Sequence, residues 1–234
     1  MRKFDIEKFN QDGFTIIDDL ISKDTIESLL QEINNAPQTN AVKRKNQQVY
    51  AIRDLLNVIP TVEKLAASSD VKKLVEWVIG KAVVTRGILF DKIPVANWMV
   101  DWHQDLIVAV KESKAVEGFQ NWSVKSGITH VMPPVAILER MLTVRIHLDD
   151  VDESNGALLV IPGSHKFGYL RDDKTEALKS QKKVLCSASK GGALLMRPLL
   201  LHSSHAGNQP FHRRVIHLEY SPDILPGGLE WYGA

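Results

Sequence analysis

The sequence predicts a mainly-β fold with flanking helices, the helices packed on one outer face of a β core. Three observations lead there. Helical apolar stripes are confined to the stretch before Gly80, while strand-like runs take over from Ala82 and continue to Tyr220. The 234 residues, 44% of them hydrophobic, suit one barrel of ordinary size with a sizeable core.

The helical part comes first. Gly13 opens a short strand from Phe14 to Leu20. A helix follows, with Ser22 or Asp24 as its cap and Ile26, Leu29, Leu30 and Ile33 at helical spacing; Asn34-Asn35-Ala36-Pro37 ends it. Gln38 to Gln48, polar and basic through Lys43, Arg44 and Lys45, reads as a solvated loop. Tyr50 to Leu56 then brings Arg53 beside an apolar run, and Thr61 to Ala67 reads as a short helix. A clearer helix spans Ser69 to Ile79, where Val71, Leu74, Val75 and Val78 form one stripe and Gly80 suits the C-terminal cap. These stripes are core.

Strands follow over Ala82 to Phe90 and Trp98 to His103. Ile107 to Pro134 is long and poorly periodic and holds Phe119, Trp122, Lys125, Gly127 and His130. It reads as a packed lid that covers the site and orders on ligand binding. Met141 to Leu148 is a strand, Asp149 to Gly156 an acidic turn, and Ala157 to Ile161 the returning strand, closed by Pro162-Gly163-Ser164-His165. Arg171 to Lys183 is charged helix or loop. Gly191-Gly192 starts a strand through Met196 that breaks at Pro198 and resumes to His202. After a turn at Gly207-Asn208-Gln209-Pro210, Arg213 to Tyr220 is the last strand. No repeat or low-complexity linker interrupts the chain. The expectation is one domain, helix-rich over about 1–80, with a β core over about 82–221.

Composition removes several function classes. Lys plus Arg number 29 against 28 for Asp plus Glu, a formal +1, which leaves no nucleic-acid footprint. The single cysteine, Cys186, forms no internal disulfide and fits a reducing compartment. No apolar run is long enough to span a membrane. Met1-Arg2-Lys3-Phe4-Asp5 turns acidic at once and lacks the apolar core of a signal peptide, so the expected location is the cytoplasm.

Chemistry concentrates at Trp102-His103-Gln104-Asp105. In a strand, residues two apart share a face, so His103 and Asp105 project to the same side. A second imidazole from another strand, His202, would complete the 2-His-1-carboxylate set that leaves open positions on non-haem Fe(II). The chain has eight histidines, and several compete. His147-Leu148-Asp149 repeats the triplet but runs into an acidic turn, where Asp149 is turn chemistry. His205 stands three from His202, on the opposite face of a strand. His165 sits in a turn, and His212 and His217 flank arginines in structural or exposed positions. The triplet by itself is a weak signal.

His103-Gln104-Asp105, His202 and Arg213, eleven residues further on, together resemble the phytanoyl-CoA dioxygenase family of Fe(II)- and 2-oxoglutarate-dependent oxygenases. Leu148-Asp149-Asp150 leading to Asn155-Gly156-Ala157-Leu158 and Ile161-Pro162-Gly163-Ser164-His165 is similar to the family's central hairpin. Leu199-Leu200-Leu201-His202-Ser203-Ser204 followed by Arg213-Arg214 is similar to its distal strands. The likeness runs from about Gly13 to Ser221.

The resemblance implies a double-stranded β-helix, a jelly-roll or cupin-like barrel. It implies that His103, Asp105 and His202 hold Fe(II), and that Arg213 pairs with the distal carboxylate of 2-oxoglutarate. Strand alternation does not choose Arg213 over Arg214; the family spacing does. Ser204 matches a hydroxyl contact to the same co-substrate. Arg53 and Arg145 fall near positions that contact it in relatives, with other residue types there, and a structural ion pair explains them equally well. The implied reaction hydroxylates a small organic molecule, consuming O2 and releasing succinate and CO2. Halogenating relatives carry a small residue in place of the aspartate, so Asp105 points to hydroxylation or desaturation. Trp98, Trp102, Phe119 and Trp122 are candidates for an aromatic-lined pocket or for core. Two other readings stand beside this one: a non-catalytic jelly-roll that binds a ligand, and a cupin-like metalloenzyme without 2-oxoglutarate. Uncoupled succinate formation separates them.

Overall fold

The computed structural model describes residues 4–208 and 212–233. Met1 to Lys3 and the Gln209-Pro210 half of the expected turn lie outside the described residues. The chain begins with α1 (Ile6–Asp12), which the sequence reading did not foresee; it is short and buries only Phe9. The Asp5 side chain caps it by accepting from Lys8 N at 2.9 Å, and Gly13 ends it at φ 84°. β1 (Phe14–Ile17) leads to α2 (Lys23–Asn34), whose cap is Ser22, with Oγ accepting from Thr25 N at 3.2 Å.

The basic stretch after α2 corrects an expectation. It is a hairpin of β2 (Val42–Lys45) and β3 (Gln48–Ile52), not a solvated loop. Asn46 and Gln47 make its two-residue turn at φ 48° and 65°, the pair of positive φ values that matches strand twist. Val42 and Val49 are the buried anchors, and the intervening cations hid the alternation. Three helices then stack in sequence: α3 (Leu55–Val58), α4 (Pro60–Ala66) and α5 (Ser69–Ile79).

The strand-rich part comprises β4 (Val83–Asp91), β5 (Val100–His103), β6 (Val108–Val110), β7 (Gln120–Lys125) and β8 (Ile128–Met132). It continues through α6 (Val135–Arg140), β9 (Leu142–His147), β10 (Leu158–Val160), α7 (Asp172–Leu178), β11 (Val184–Cys186), β12 (Ala193–Met196), β13 (His202–Ser204) and β14 (Arg214–Ser221). A seven-stranded sheet runs β1-β12-β9-β14-β4-β3-β2, and a four-stranded sheet runs β11-β10-β13-β5; all pairings are antiparallel. Leu158, Val160 and Cys186 of the small sheet pack on Leu194 and Met196 of the large one, so the sheets face each other as a jelly-roll barrel.

Alternation splits the large sheet into two unlike faces. Leu142, Val144, Ile146, Ile216, Leu218 and Tyr220 point outward and pack on Ile26, Leu29, Val71 and Leu74 of the helices. Each such side chain contributes about 1.5–3 kcal/mol on full burial, so this helix–sheet layer is the main hydrophobic core. The residues between them, Arg145 and His147 on β9 and His217 and Glu219 on β14, point into the barrel and are buried.

The 107–134 segment is also more ordered than expected. It carries the three-stranded sheet β6-β8-β7, and Val108, Val110, Phe119 and Val131 join Leu199, Leu225 and Trp231 in a cluster of their own. Its strands are short, β7 slips register between Gln120 and Ser123, and Ser126-Gly127 turns at φ 56° and 82°. Those breaks erased the period that a sequence reading needs. No described helix is long and apolar enough to cross a membrane.

Candidate active site

Strands β5 and β13 pair so that His103 lies opposite His202, with ring centroids 4.1 Å apart. Asp105 follows β5, its backbone N–H donating to Pro198 O at 2.9 Å, and this turns its carboxylate toward the two rings. One ligand atom from each of His103, Asp105 and His202 falls within 4.8 Å of the others. Each Nε2 stands 3.8 Å from a different oxygen of Asp105.

The donor set suits a divalent metal ion. His103 Nδ1 donates to Asp101 O and His202 Nδ1 to Leu200 O, both at 2.8 Å. A carbonyl only accepts, so each Nδ1 bears the proton and each Nε2 lone pair is free for a metal. Asp105 Oδ2 is sealed from solvent without a hydrogen-bond partner. Burial pushes His202 down to about 4, which keeps its imidazole neutral. Burial opposes ionisation of Asp105 as well, but His202, His217, His103 and Arg145 together hold its carboxyl well below the usual range. Gln104 faces elsewhere. Its amide donates to Gly168 O (2.8 Å) and Leu199 O (2.7 Å) and accepts from Leu170 N (2.9 Å), pinning two loops behind the triplet.

The three residues open on a cavity of about 200 Å³ that Ser204, Arg145 and Arg213 also line. Arg213 is buried with its Nε unpartnered, and burial, with Arg145 beside it, pushes the guanidinium down to about 9. Its neighbour Arg214 points the other way. It holds Asp149 through Nε (2.9 Å) and Nη2 (2.6 Å), and its backbone N–H adds a third bond at 2.8 Å. Ser204 Oγ accepts from Lys92 Nζ at 3.1 Å. Among the described residues the rival triplet forms no such cluster, and Asp149 is committed to Arg214.

Residues 9–215 match the profile of the family described as Phytanoyl-CoA dioxygenase (PhyH). The chain belongs to the phytanoyl-CoA dioxygenase family. Among curated relatives, the ectoine dioxygenase of Bordetella bronchiseptica is 23% identical over 192 residues, covering 76% of this chain and 56% of the relative. The chain therefore spans little more than half the length of that protein. Among solved structures, EctD from S. alaskensis with 2-oxoglutarate and 5-hydroxyectoine has a TM-score of 0.71 at 21% identity, covering 92% of this chain and 74% of that one. The non-haem α-ketoglutarate-dependent epimerase SnoN from nogalamycin biosynthesis has a TM-score of 0.69 at 15% identity, over 92% and 81% of the two chains. These likenesses establish the jelly-roll fold.

Within this member of the phytanoyl-CoA dioxygenase family, Arg53 departs from expectation. The chain leaves β3 after Ile52, and Arg53 is exposed and absent from the cavity wall. His217, expected to be structural or exposed, is buried and lines the cavity. Arg145 Nη1 donates to His217 Nδ1 (2.8 Å), and His217 Nε2 donates to Glu219 Oε1 (3.1 Å). Glu219 Oε2 accepts from Arg86 Nε (3.0 Å). Sequence reasoning missed Arg86, Lys92 and Glu219. The signal was present on β14, where Arg213, His217 and Glu219 keep one parity. Of the four candidate aromatics only Trp98 lines the cavity; Phe119 and Trp122 belong to the side cluster, and Trp102 packs near Leu170. The 107–134 segment contributes no residue to the cavity wall.

Proposed function

We propose that the chain is a non-haem Fe(II)- and 2-oxoglutarate-dependent dioxygenase that hydroxylates a small organic molecule. The observation that carries this is the convergence of His103 Nε2, Asp105 and His202 Nε2 within 4.8 Å in a cavity that the buried Arg213, its Nε without a hydrogen-bond partner, also lines. His103, Asp105 and His202 would hold iron on one face. Iron with bound 2-oxoglutarate supplies the activation of O2, with succinate and CO2 as co-products.

The remaining tasks belong to the protein. Asp101 O and Leu200 O fix the tautomer and aim of both imidazoles. Arg213 offers a rigid fork to the distal carboxylate of 2-oxoglutarate, and the Ser204 hydroxyl, held by Lys92, offers a further contact. Arg145 stands in the same wall as a second cation. Ile88, Phe90, Trp98 and Val100 keep that wall apolar, which limits water around reactive species. Curated relatives named ectoine dioxygenase support a small-molecule substrate. The near-zero net charge of +1 supports a partner set without nucleic acid.

The test is succinate formation from 2-oxoglutarate with Fe(II) and ascorbate, followed by a small-molecule screen for a mass gain of one oxygen. Succinate production that requires iron supports the reading. A protein that binds ligands but makes no succinate under any condition of the screen sinks it.

A further inference from the structure

The proposed site leaves one buried charge over. We infer that the substrate is a small monocarboxylate with an apolar body, its anionic group neutralising Arg145. The inference rests on the iron and 2-oxoglutarate reading above.

Charges in the cavity cancel almost completely. Iron(II), the Asp105 carboxylate, the 2-oxoglutarate dianion and the Arg213 guanidinium sum to nothing. Arg86 and Glu219 neutralise each other in a two-point ion pair, one arm of it 3.0 Å between Nε and Oε2. His103 and His202 would meet the metal through Nε2 lone pairs, their Nδ1 protons being held by Asp101 O and Leu200 O. An arginine has donors only, so the 2.8 Å contact from Arg145 makes His217 Nδ1 an acceptor and leaves its proton on Nε2, facing Glu219. Arg145 is what remains. It is buried, its hydrogen-bonded side-chain partner among the described residues is the His217 ring, and its Nε is sealed without any partner. Among the described residues no carboxylate forms an ion pair with it. An unpaired buried cation is costly, and a ligand that brings the missing anion removes that cost. The count holds whichever arginine takes whichever carboxylate.

Neighbouring groups register the same excess. After burial itself, Arg213 and Arg145 push Lys92 down to about 7, and Arg145 and Arg213 help to push His147 down to about 3. Lys92 Nζ stands outside that count: it donates to Ser204 Oγ and His205 O, and burial followed by the two arginines shifts it toward its neutral form. The rest of the ligand's shape follows from the wall: Ile88, Phe90, Trp98, Val100 and Leu158 are apolar, and the Phe90 ring centroid lies 6.0 Å from Arg145 Cζ. A cavity of about 200 Å³, which iron and 2-oxoglutarate would share with the substrate, is already smaller than the roughly 300–1,000 Å³ of drug-sized sites, so the acid is small.

The experiment is anaerobic calorimetry on the full chain loaded with Fe(II) and saturated with 2-oxoglutarate. The probes are phenylacetate and hexanoate against phenylacetamide and hexanamide. The metal-to-ligand charge-transfer band of the same sample is recorded first; its absence sinks the reading of the site and this inference with it. With the band present, at least one acid should bind about tenfold or more tighter than its amide. Arg145→Met should bring that ratio close to one, and Arg145→Lys, which keeps the charge, should retain most of it. Equal binding of acid and amide, no binding of either acid, or a preference that survives Arg145→Met overturns the inference while leaving the iron site intact.

Discussion

His103-Gln104-Asp105 and His147-Leu148-Asp149 share one pattern and stand in opposite surroundings. In the first, the middle residue turns away to tie down loops, and the flanking imidazole and carboxylate keep free donor atoms beside a second imidazole. In the second, the middle residue packs in the helix–sheet core, and the carboxylate spends three hydrogen bonds on Arg214. What separates them is the state of the carboxylate. Asp105 has a sealed oxygen with nothing to bond, whereas Asp149 is satisfied. A metal site needs the unsatisfied kind.

Breaking the two triplets in parallel gives the largest contrast. Asp105→Ala should abolish iron-dependent succinate formation. Asp149→Ala should leave the turnover of the folded protein near that of the wild type while costing about 1–3 kcal/mol of stability, since it strands a half-buried guanidinium. Kinetics and urea unfolding on both variants check this, and an Asp149→Ala protein that is stable but inactive contradicts it.

The two adjacent arginines sharpen the comparison. Arg213→Met should weaken 2-oxoglutarate binding by about 10- to 150-fold per bond lost, with Arg213→Lys recovering only part. Arg214→Met should leave that affinity almost unchanged and act on stability instead. Titration of the charge-transfer band in anaerobic protein reads both. Damage from Arg214→Met with a silent Arg213→Met means that the faces of β14 have been swapped.

Gln104→Leu probes the middle position. It removes three hydrogen bonds that hold Gly168, Leu170 and Leu199, so stability should fall by about 1–3 kcal/mol. Leu148→Gln, its counterpart, buries an amide in the core and should cost at least as much. A silent Gln104→Leu in thermal unfolding removes the anchoring role.

The smallest effect concerns His147. Burial first, then Arg145 and Arg213, push it to about 3, below its ordinary 6.5. Between those values the unfolded chain binds the proton and the folded chain does not. Stability therefore falls as pH drops through that window, by at most about 1.4 kcal/mol per unit for one group. His147→Leu should flatten the slope of unfolding free energy between pH 6 and 4 (about those limits). An unchanged slope means that His147 is protonated in the folded state.

Much of the fold could be read from local pattern. The helix at Ser69–Ile79 and the strand ending in Tyr220 come straight from apolar period. The hairpin at Val42–Ile52 did not, because Lys43, Arg44 and Lys45 mask two buried valines. The three short strands between Val108 and Met132 did not either, because bulges and left-handed turns break their alternation. At the site, period two puts His103 and Asp105 on one face, but the pairing of β5 with β13 that brings in His202 is non-local, and only the family likeness pointed to it. Arg145, His217, Glu219 and Arg86 form one chain across three strands, and no window of sequence contains it.

The most direct measurement is an anaerobic Fe(II) titration of wild type, His103→Ala and His147→Ala. One iron per chain is expected in the wild type and the His147→Ala protein. His103→Ala should lose iron affinity beyond the roughly 10- to 100-fold typical of removing a supporting partner. Iron retained by His103→Ala and lost by His147→Ala would contradict this assignment.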